Sequence, residues 1–138
     1  MYNACMAGYS AKPLITKLGI KEGWEILVIN PPENYFSTLE LPATVSILKE
    51  PKNNLEFIQI FVQNKQQLFR SLQAYQNFLS KSGSFWISWP KVSSGLKSDL
   101  AEDVIRDFGL QSGLVDVKVI AVDETYSGLK FVYRLTDR

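Results

Sequence analysis

The sequence predicts an α/β fold: a mostly parallel sheet with helices on both faces and a C-terminal antiparallel hairpin. Three observations carry this. Residues 24–29, Trp24-Glu25-Ile26-Leu27-Val28-Ile29, form a nearly continuous apolar run, the pattern of a strand covered on both faces. Further strand-like runs then alternate with segments of helical period, as they do in parallel sheets. Two final strands, predicted over 117–122 and 129–135, flank the turn-rich loop Asp123-Glu124-Thr125-Tyr126-Ser127-Gly128, which reads as a hairpin connection.

Each element has a local reason. Ser10 is placed to cap a helix over 11–18, with Pro13 in its first turn and Gly19 just beyond its end. Lys21-Glu22-Gly23 turns the chain into the first strand. Asn30 as N-cap, Pro31 at the first helical position and Glu33 two residues on start a brief helix that runs through Leu39 and stops before Pro42. A second strand covers 44–48, and the polar stretch Lys49-Glu50-Pro51-Lys52-Asn53-Asn54 is too short for a helical crossover, so the chain must cross extended.

A third strand covers 57–62, after which Asn64 and Gln67 cap a long helix. Its Leu68, Phe69, Leu72, Tyr75, Phe78 and Leu79 recur at helical spacing and form a core stripe. Lys81-Ser82-Gly83 ends that helix, and a fourth strand over 84–89 is stopped by Pro90. Beyond the loop 91–97, Asp99 and Glu102 offer a capping box to a helix that turns Leu100, Val104, Ile105 and Phe108 inward and ends at Gly109.

Composition bounds the rest. With 138 residues, 46% of them apolar and 21% charged, the chain suits a single domain over 1–138, with 1–9 a loose tail. Fifteen basic and fourteen acidic residues, well mixed, leave a formal charge of +1, so no long-range field attracts nucleic acid or an anionic membrane. Histidine is absent, which removes the imidazole that zinc and copper sites, Ser-His-Asp triads and Cys-His pairs use; no metal and no cofactor are expected. Cys5 is the only cysteine and cannot form an intramolecular disulfide, which fits a reducing, cytoplasmic setting. The first residues lack a basic and apolar signal pattern, and no apolar run reaches the length of a membrane span.

Where a nucleotide-binding α/β protein carries a glycine-rich phosphate loop, this chain has Asn30-Pro31-Pro32-Glu33. The two prolines delete backbone N–H donors, and Glu33 sets a negative charge where a phosphate would sit. Ligands of open parallel sheets bind outside the carboxyl ends of the strands. Three loops gather there in the expected topology, and they supply the candidate binding residues Asn30, Trp89, Lys91, Ser93, Ser94, Asp123, Glu124, Tyr126 and Lys130. Together they offer an aromatic wall, one or two cations, carboxylates and hydroxyls for a small polar ligand. None forms a recognisable catalytic set: Ser93 and Ser94 have no histidine to activate them, and adjacent Asp123 and Glu124 point to opposite strand faces.

The order of elements resembles a shortened class I methyltransferase fold, Rossmann-like in layout, with 57–62, the long helix, 84–89, the next helix and the hairpin standing for its later half. That resemblance implies a glycine-rich turn after the first strand, which this chain lacks, and an acid ending the second strand, a place Glu50 can fill. Several strings also resemble a family of small bacterial proteins classed as a domain of unknown function. They are Gly8-Tyr9-Ser10 with Lys12-Pro13-Leu14, Leu18-Gly19-Ile20-Lys21, Ser88-Trp89-Pro90-Lys91, Asp99-Leu100 with Glu102-Asp103, Gly113-Leu114-Val115-Asp116-Val117-Lys118, and Ala121-Val122-Asp123-Glu124 with Ser127-Gly128-Leu129-Lys130. This resemblance implies a cytoplasmic bacterial protein and brings no activity or catalytic residue.

The functional expectation is therefore a non-catalytic α/β domain that binds a small polar ligand or a protein partner, with homo-oligomer formation through the hairpin edge as a further option. The alternative is a small S-adenosylmethionine-dependent methyltransferase-like enzyme in which Glu50 holds the cosubstrate's ribose.

Overall fold

The computed structural model describes residues 13–138. The expected cap at Ser10, the helix start at Ala11, the tail over 1–9 and Cys5 lie outside the described residues. Six strands form one sheet: β1 (Glu25–Ile29), β2 (Ser46–Ile47), β3 (Leu55–Phe61), β4 (Leu79–Pro90), β5 (Leu114–Ala121) and β6 (Tyr126–Tyr133), in the order β2-β1-β3-β4-β6-β5. Strands β2, β1, β3 and β4 run parallel, whereas β6 pairs antiparallel with both β4 and β5. The predicted class, with its antiparallel C-terminal hairpin, is the observed one, and residues 48–54 cross from β2 to β3 without a helix.

Among the described residues four α-helices cover the sheet: α1 (Leu14–Leu18), α2 (Tyr35–Leu39), α3 (Lys65–Tyr75) and α4 (Glu102–Gln111). Alternation along the strands divides the core into two layers. On one face Ile58, Ile60, Phe85, Ile87, Leu129 and Phe131 pack with Leu68 and Leu72 of α3 and Ile105 of α4. On the other, Ile26, Phe57, Phe61 and Trp86 pack with Leu18 of α1 and Tyr35 and Leu39 of α2. Helices therefore stand on both faces, as a parallel sheet requires.

Several boundaries differ from expectation for identifiable reasons. Asn30 is not a helix cap. It adopts a left-handed conformation with φ 56°, and α2 starts later, after Asn34, which is left-handed as well with φ 64°. Asn64 does cap α3, its side chain accepting from the Gln67 amide at 2.9 Å, but that helix stops at Tyr75, and a single 3₁₀ turn over Gln76–Phe78 hands the chain to β4. Leu79 is thus a strand residue. Phe69, read as core, is 51% exposed. Strand β4 runs through Lys81-Ser82-Gly83, and a Cβ at Gly83 would stand 2.7 Å from the Leu55 carbonyl oxygen.

Asp99 does not cap α4; its carboxylate accepts from the Lys65 amide at 2.9 Å, and Ala101 holds the cap position. Gly109 does not end that helix either. It lies inside α4 against the Phe131 ring, where a Cβ would come within 2.1 Å of the ring, and the turn is made by Gly113 at φ 89°. The hairpin strands begin about three residues earlier than expected, with Leu114 and Tyr126 as their first members.

One polar chain crosses the apolar interior. The Tyr35 hydroxyl donates to Gln59 Oε1 at 2.7 Å, and Gln59 Nε2 donates to Ser88 Oγ at 3.1 Å. Gln59 and Ser88 are both fully buried, so each satisfies a group that would otherwise be costly to desolvate. Burial pushes the Tyr35 phenol well above its ordinary value, the bond to Gln59 opposes this, and the Asp123 charge adds to it. Among the described residues Trp86 Nε1 is the one buried side-chain polar atom left without a partner.

Two outcomes follow from these contacts. Gly109→Ala gains helix propensity, roughly 1 kcal/mol, yet overpacks the Phe131 ring; the net result is a loss of about 1–3 kcal/mol, read as a lower urea midpoint, and an unchanged midpoint contradicts the close approach. For Tyr35, the folded state holds the phenol proton more tightly than the unfolded chain does, so its contribution is intact below the unfolded tyrosine value of about 10 and declines as pH rises past it. Tyr35→Phe is expected to cost about 1–3 kcal/mol at neutral pH, because Gln59 loses a buried donor, and to show a shallower fall in stability above that pH. Parallel urea titrations of both proteins check the slope.

Candidate functional site at the carboxyl edge of the sheet

The parallel strands β1 to β4 end at one edge, and the β5–β6 turn reaches the same edge because Pro90 pairs with Tyr126 and Trp89 with Ser127. Three segments meet there: the β1–α2 loop, the hairpin tip and the segment after β4.

In the β1–α2 loop the chain reverses through Asn30 and Asn34, both left-handed. Asparagine is the non-glycine residue that best tolerates this geometry, so the loop bends as a glycine-bearing loop would although it holds no glycine. Its anchor is Tyr35, whose ring meets Phe61 edge-on with centroids 5.0 Å apart. At the hairpin tip Asp123 Oδ1 accepts from the amides of Thr125 and Tyr126 at 2.8 and 2.7 Å. Tyr126 turns inward. It stacks edge-on against Phe61 at 5.2 Å, and its hydroxyl accepts from Gln63 Nε2 at 2.8 Å.

After β4, the Lys91 amide donates to the Thr125 carbonyl at 2.8 Å. Ser94 Oγ donates to the Lys91 carbonyl at 2.6 Å and accepts from the Leu96 amide at 3.2 Å. Ser98 Oγ donates to the Gln63 carbonyl at 2.8 Å, which fastens the segment to the end of β3.

Two cavities open beside this edge. One of about 100 Å³ is lined by Leu14, Pro32, Glu33, Tyr35, Thr38, Val122 and Asp123, on the face of α1 and α2. Another of about 260 Å³ is lined by Pro90, Lys91, Val92, Leu96, Lys97, Ser98 and Leu100, toward the face of α4. The first carries two carboxylates, the second two ammonium groups.

The expected site residues fall into distinct groups. Asp123 and Lys91 line cavities, and Asn30 shapes the loop beside the first. Glu124 is exposed at the hairpin tip, and Ser93 is exposed in the segment after β4. Ser94 is committed to its own turn. Trp89, read as an open aromatic wall, is 5% exposed and packs in the core, because an odd-numbered position on β4 faces the α3–α4 layer. Tyr126 is buried too. Lys130 lies mid-strand opposite Trp86 and beside Lys118, away from the edge; partial burial, and then the Lys118 charge, lower its pKa. Glu50 stands exposed just beyond β2, whose partner is β1.

Sequence reasoning missed Gln59, Ser88, Lys97 and Ser98. Gln59 and Ser88 had a signal, as polar residues inside otherwise apolar strand runs. Lys97 and Ser98 had none, since their place depends on how the loop folds back. Among the described residues no group of three or more His, Cys, Asp or Glu side chains could hold a metal ion, and no helix is long and apolar enough to cross a membrane.

No protein-family model matches the chain, and no curated protein matches its sequence. Solved structures do match its fold. A putative type 11 methyltransferase from Sulfolobus solfataricus superposes with a TM-score of 0.58 at 14% identity, covering 91% of this chain and 92% of that one. A SAM-dependent methyltransferase from Aquifex aeolicus gives 0.55 at 15% identity over 86% of each chain. A TehB-like SAM-dependent methyltransferase from Corynebacterium glutamicum gives 0.55 at 8% identity, covering 88% and 85%. These neighbours, each a methyltransferase by description, count against the expectation of a non-catalytic binding domain and correct it. The fold is a methyltransferase-like Rossmann fold with a six-stranded sheet, parallel but for its C-terminal hairpin.

Proposed function

We propose that this chain is a small S-adenosylmethionine-dependent methyltransferase. The observation that carries the reading is the β1–α2 loop: Asn30 and Asn34 take left-handed turns at the carboxyl end of β1, the conformation for which such a loop ordinarily uses glycine. Glu50, in the loop that follows the neighbouring strand β2, supports it.

The chemistry of the loop fits this cosubstrate better than a nucleotide. A phosphate would meet Glu33 and two prolines without N–H donors, whereas S-adenosylmethionine has no phosphate and carries a sulfonium, an ammonium and a carboxylate, for a net positive charge. Glu33 and Asp123, which line one cavity, suit a cation. Glu50 would hold the ribose hydroxyls as acceptor, and the Asn30–Asn34 loop would let the backbone approach closely. When bound, the cosubstrate supplies an electrophilic methyl group whose carbon–sulfur bond breaks with the electron pair kept by sulfur. The protein's part is then to orient the acceptor and exclude water at the sheet edge, which buried Tyr35, Tyr126 and Phe61 support by fixing the loops.

The family of small bacterial proteins that the sequence strings resemble assigns no activity; we retain membership in it, and a bacterial cytoplasmic setting, as part of this proposal.

Calorimetry on the full chain is the test. S-adenosylmethionine or its demethylated product is expected to bind saturably, tighter than about 1 mM, while ATP gives no heat. Glu50→Gln is expected to weaken binding roughly tenfold, the worth of one charge-assisted hydrogen bond. Absence of binding by both adenosyl compounds, or equal binding of ATP, ends the proposal.

A further inference from the structure

The cavity after β4 carries the opposite charge to the cavity at Glu33 and Asp123. Its walls are Pro90, Lys91, Val92, Leu96, Lys97, Ser98 and Leu100, around about 260 Å³. Two features point to a ligand. Lys91 and Lys97 line the same cavity, and among the described residues neither forms a salt bridge, so no carboxylate neutralises the ammonium groups there. Beside these ammonium groups, Val92 is 91% and Leu96 48% exposed, so apolar surface and positive charge stand together and uncovered.

The segment that carries these groups is held in place on three sides. The Lys91 amide is bonded to the hairpin tip through Thr125, Ser94 closes the turn onto the Lys91 carbonyl, and Ser98 is bonded to the end of β3 through Gln63. Leu100, 5% exposed, forms the floor and belongs to the core. Pro90 adds a rigid apolar wall with no N–H to satisfy. A fully polar anion would leave Val92 and Leu96 in water, and a neutral apolar molecule would leave the two lysines without a counter-charge.

We propose that this cavity binds a small amphiphilic carboxylate, with its anionic group at Lys91 and Lys97 and its apolar body against Pro90, Val92, Leu96 and Leu100. The volume falls just under the roughly 300 Å³ at which pockets for drug-sized ligands begin, which sets the ligand's size below that class. Only the role of this carboxylate as methyl acceptor rests on the proposed function; its binding does not.

Octanoate is the probe, with octanol and octylamine as controls of equal chain length, titrated into the full chain without cosubstrate and followed by amide chemical shifts. Saturable octanoate shifts confined to 90–100, absent with octylamine and at least about tenfold weaker with octanol, are expected. Lys91→Gln combined with Lys97→Gln should weaken octanoate about tenfold or more, the scale of a charge-assisted contact, and should leave octanol unchanged. Leu96→Ser, an exposed change, should weaken both. Equal binding of octanoate and octanol, shifts centred elsewhere, or no saturation by octanoate overturns the proposal. Octanoate binding in a protein that takes up no adenosyl compound would leave this site standing and end the methyltransferase reading alone, whereas the reverse pattern would do the opposite.

Discussion

Burial of β3 on both faces is the constraint from which the rest of the structure follows. Phe57, Ile58, Ile60 and Phe61 are each at most 1% exposed, so helices must cover the sheet above and below, and parallel neighbours must be reached by crossing from one edge to the other. A strand in that position exposes chemistry only where it ends. Gln59 and Ser88 are the exceptions inside the sheet, and they answer to each other and to Tyr35 rather than to solvent. The same chain of bonds ties the β1–α2 loop to β3 and β4, which makes the edge geometry a consequence of the core.

Strand and helix period were legible because this burial is periodic. The apolar run at β1, the capped α3 and the closing hairpin each satisfy a local rule, and each is present in the structure. The misread positions are those where a local rule has two physical solutions. Asn30 meets the grammar of a helix cap and of a left-handed turn equally well, and the turn prevailed, leaving the cap position to Asn34. Leu79 fits the end of a helical stripe or the start of a strand. Gly109 reads as a helix stop within its own segment, yet its missing side chain answers to Phe131 on β6, a contact no short window of sequence contains.

The site was legible in part for the same reason. Asn30, Lys91 and Asp123 could be assigned to the carboxyl edge from strand order alone, since each follows a strand directly. Trp89 could not, because whether a strand-end aromatic faces a helix layer or open space depends on its parity along β4, fixed by the register with β6. Glu33 and Asp123 meet around one cavity only after β1 and the hairpin are brought together. The charge of Glu33 was legible at once; its meaning was not. An acid at that loop argues against phosphate, but a sulfonium cosubstrate has the opposite charge, so the feature that excludes one ligand class is compatible with the other.

Net charge concealed an arrangement that the fold reveals. Fifteen basic and fourteen acidic residues sum to +1, and that sum describes a molecule with no preference. At the carboxyl edge, however, the two signs are sorted: Glu33 and Asp123 line the cavity on one face, Lys91 and Lys97 the cavity on the other. The hairpin tip separates them, and Thr125 touches both sides, donating its amide to Asp123 and accepting from the Lys91 amide through its carbonyl. Local fields of opposite sign act within about a Debye length of 8–10 Å, so each cavity can select its own charge while the molecule as a whole attracts neither. On the proposed function, an edge of this kind suits a reaction between a cationic donor held at one cavity and an anionic acceptor held at the other.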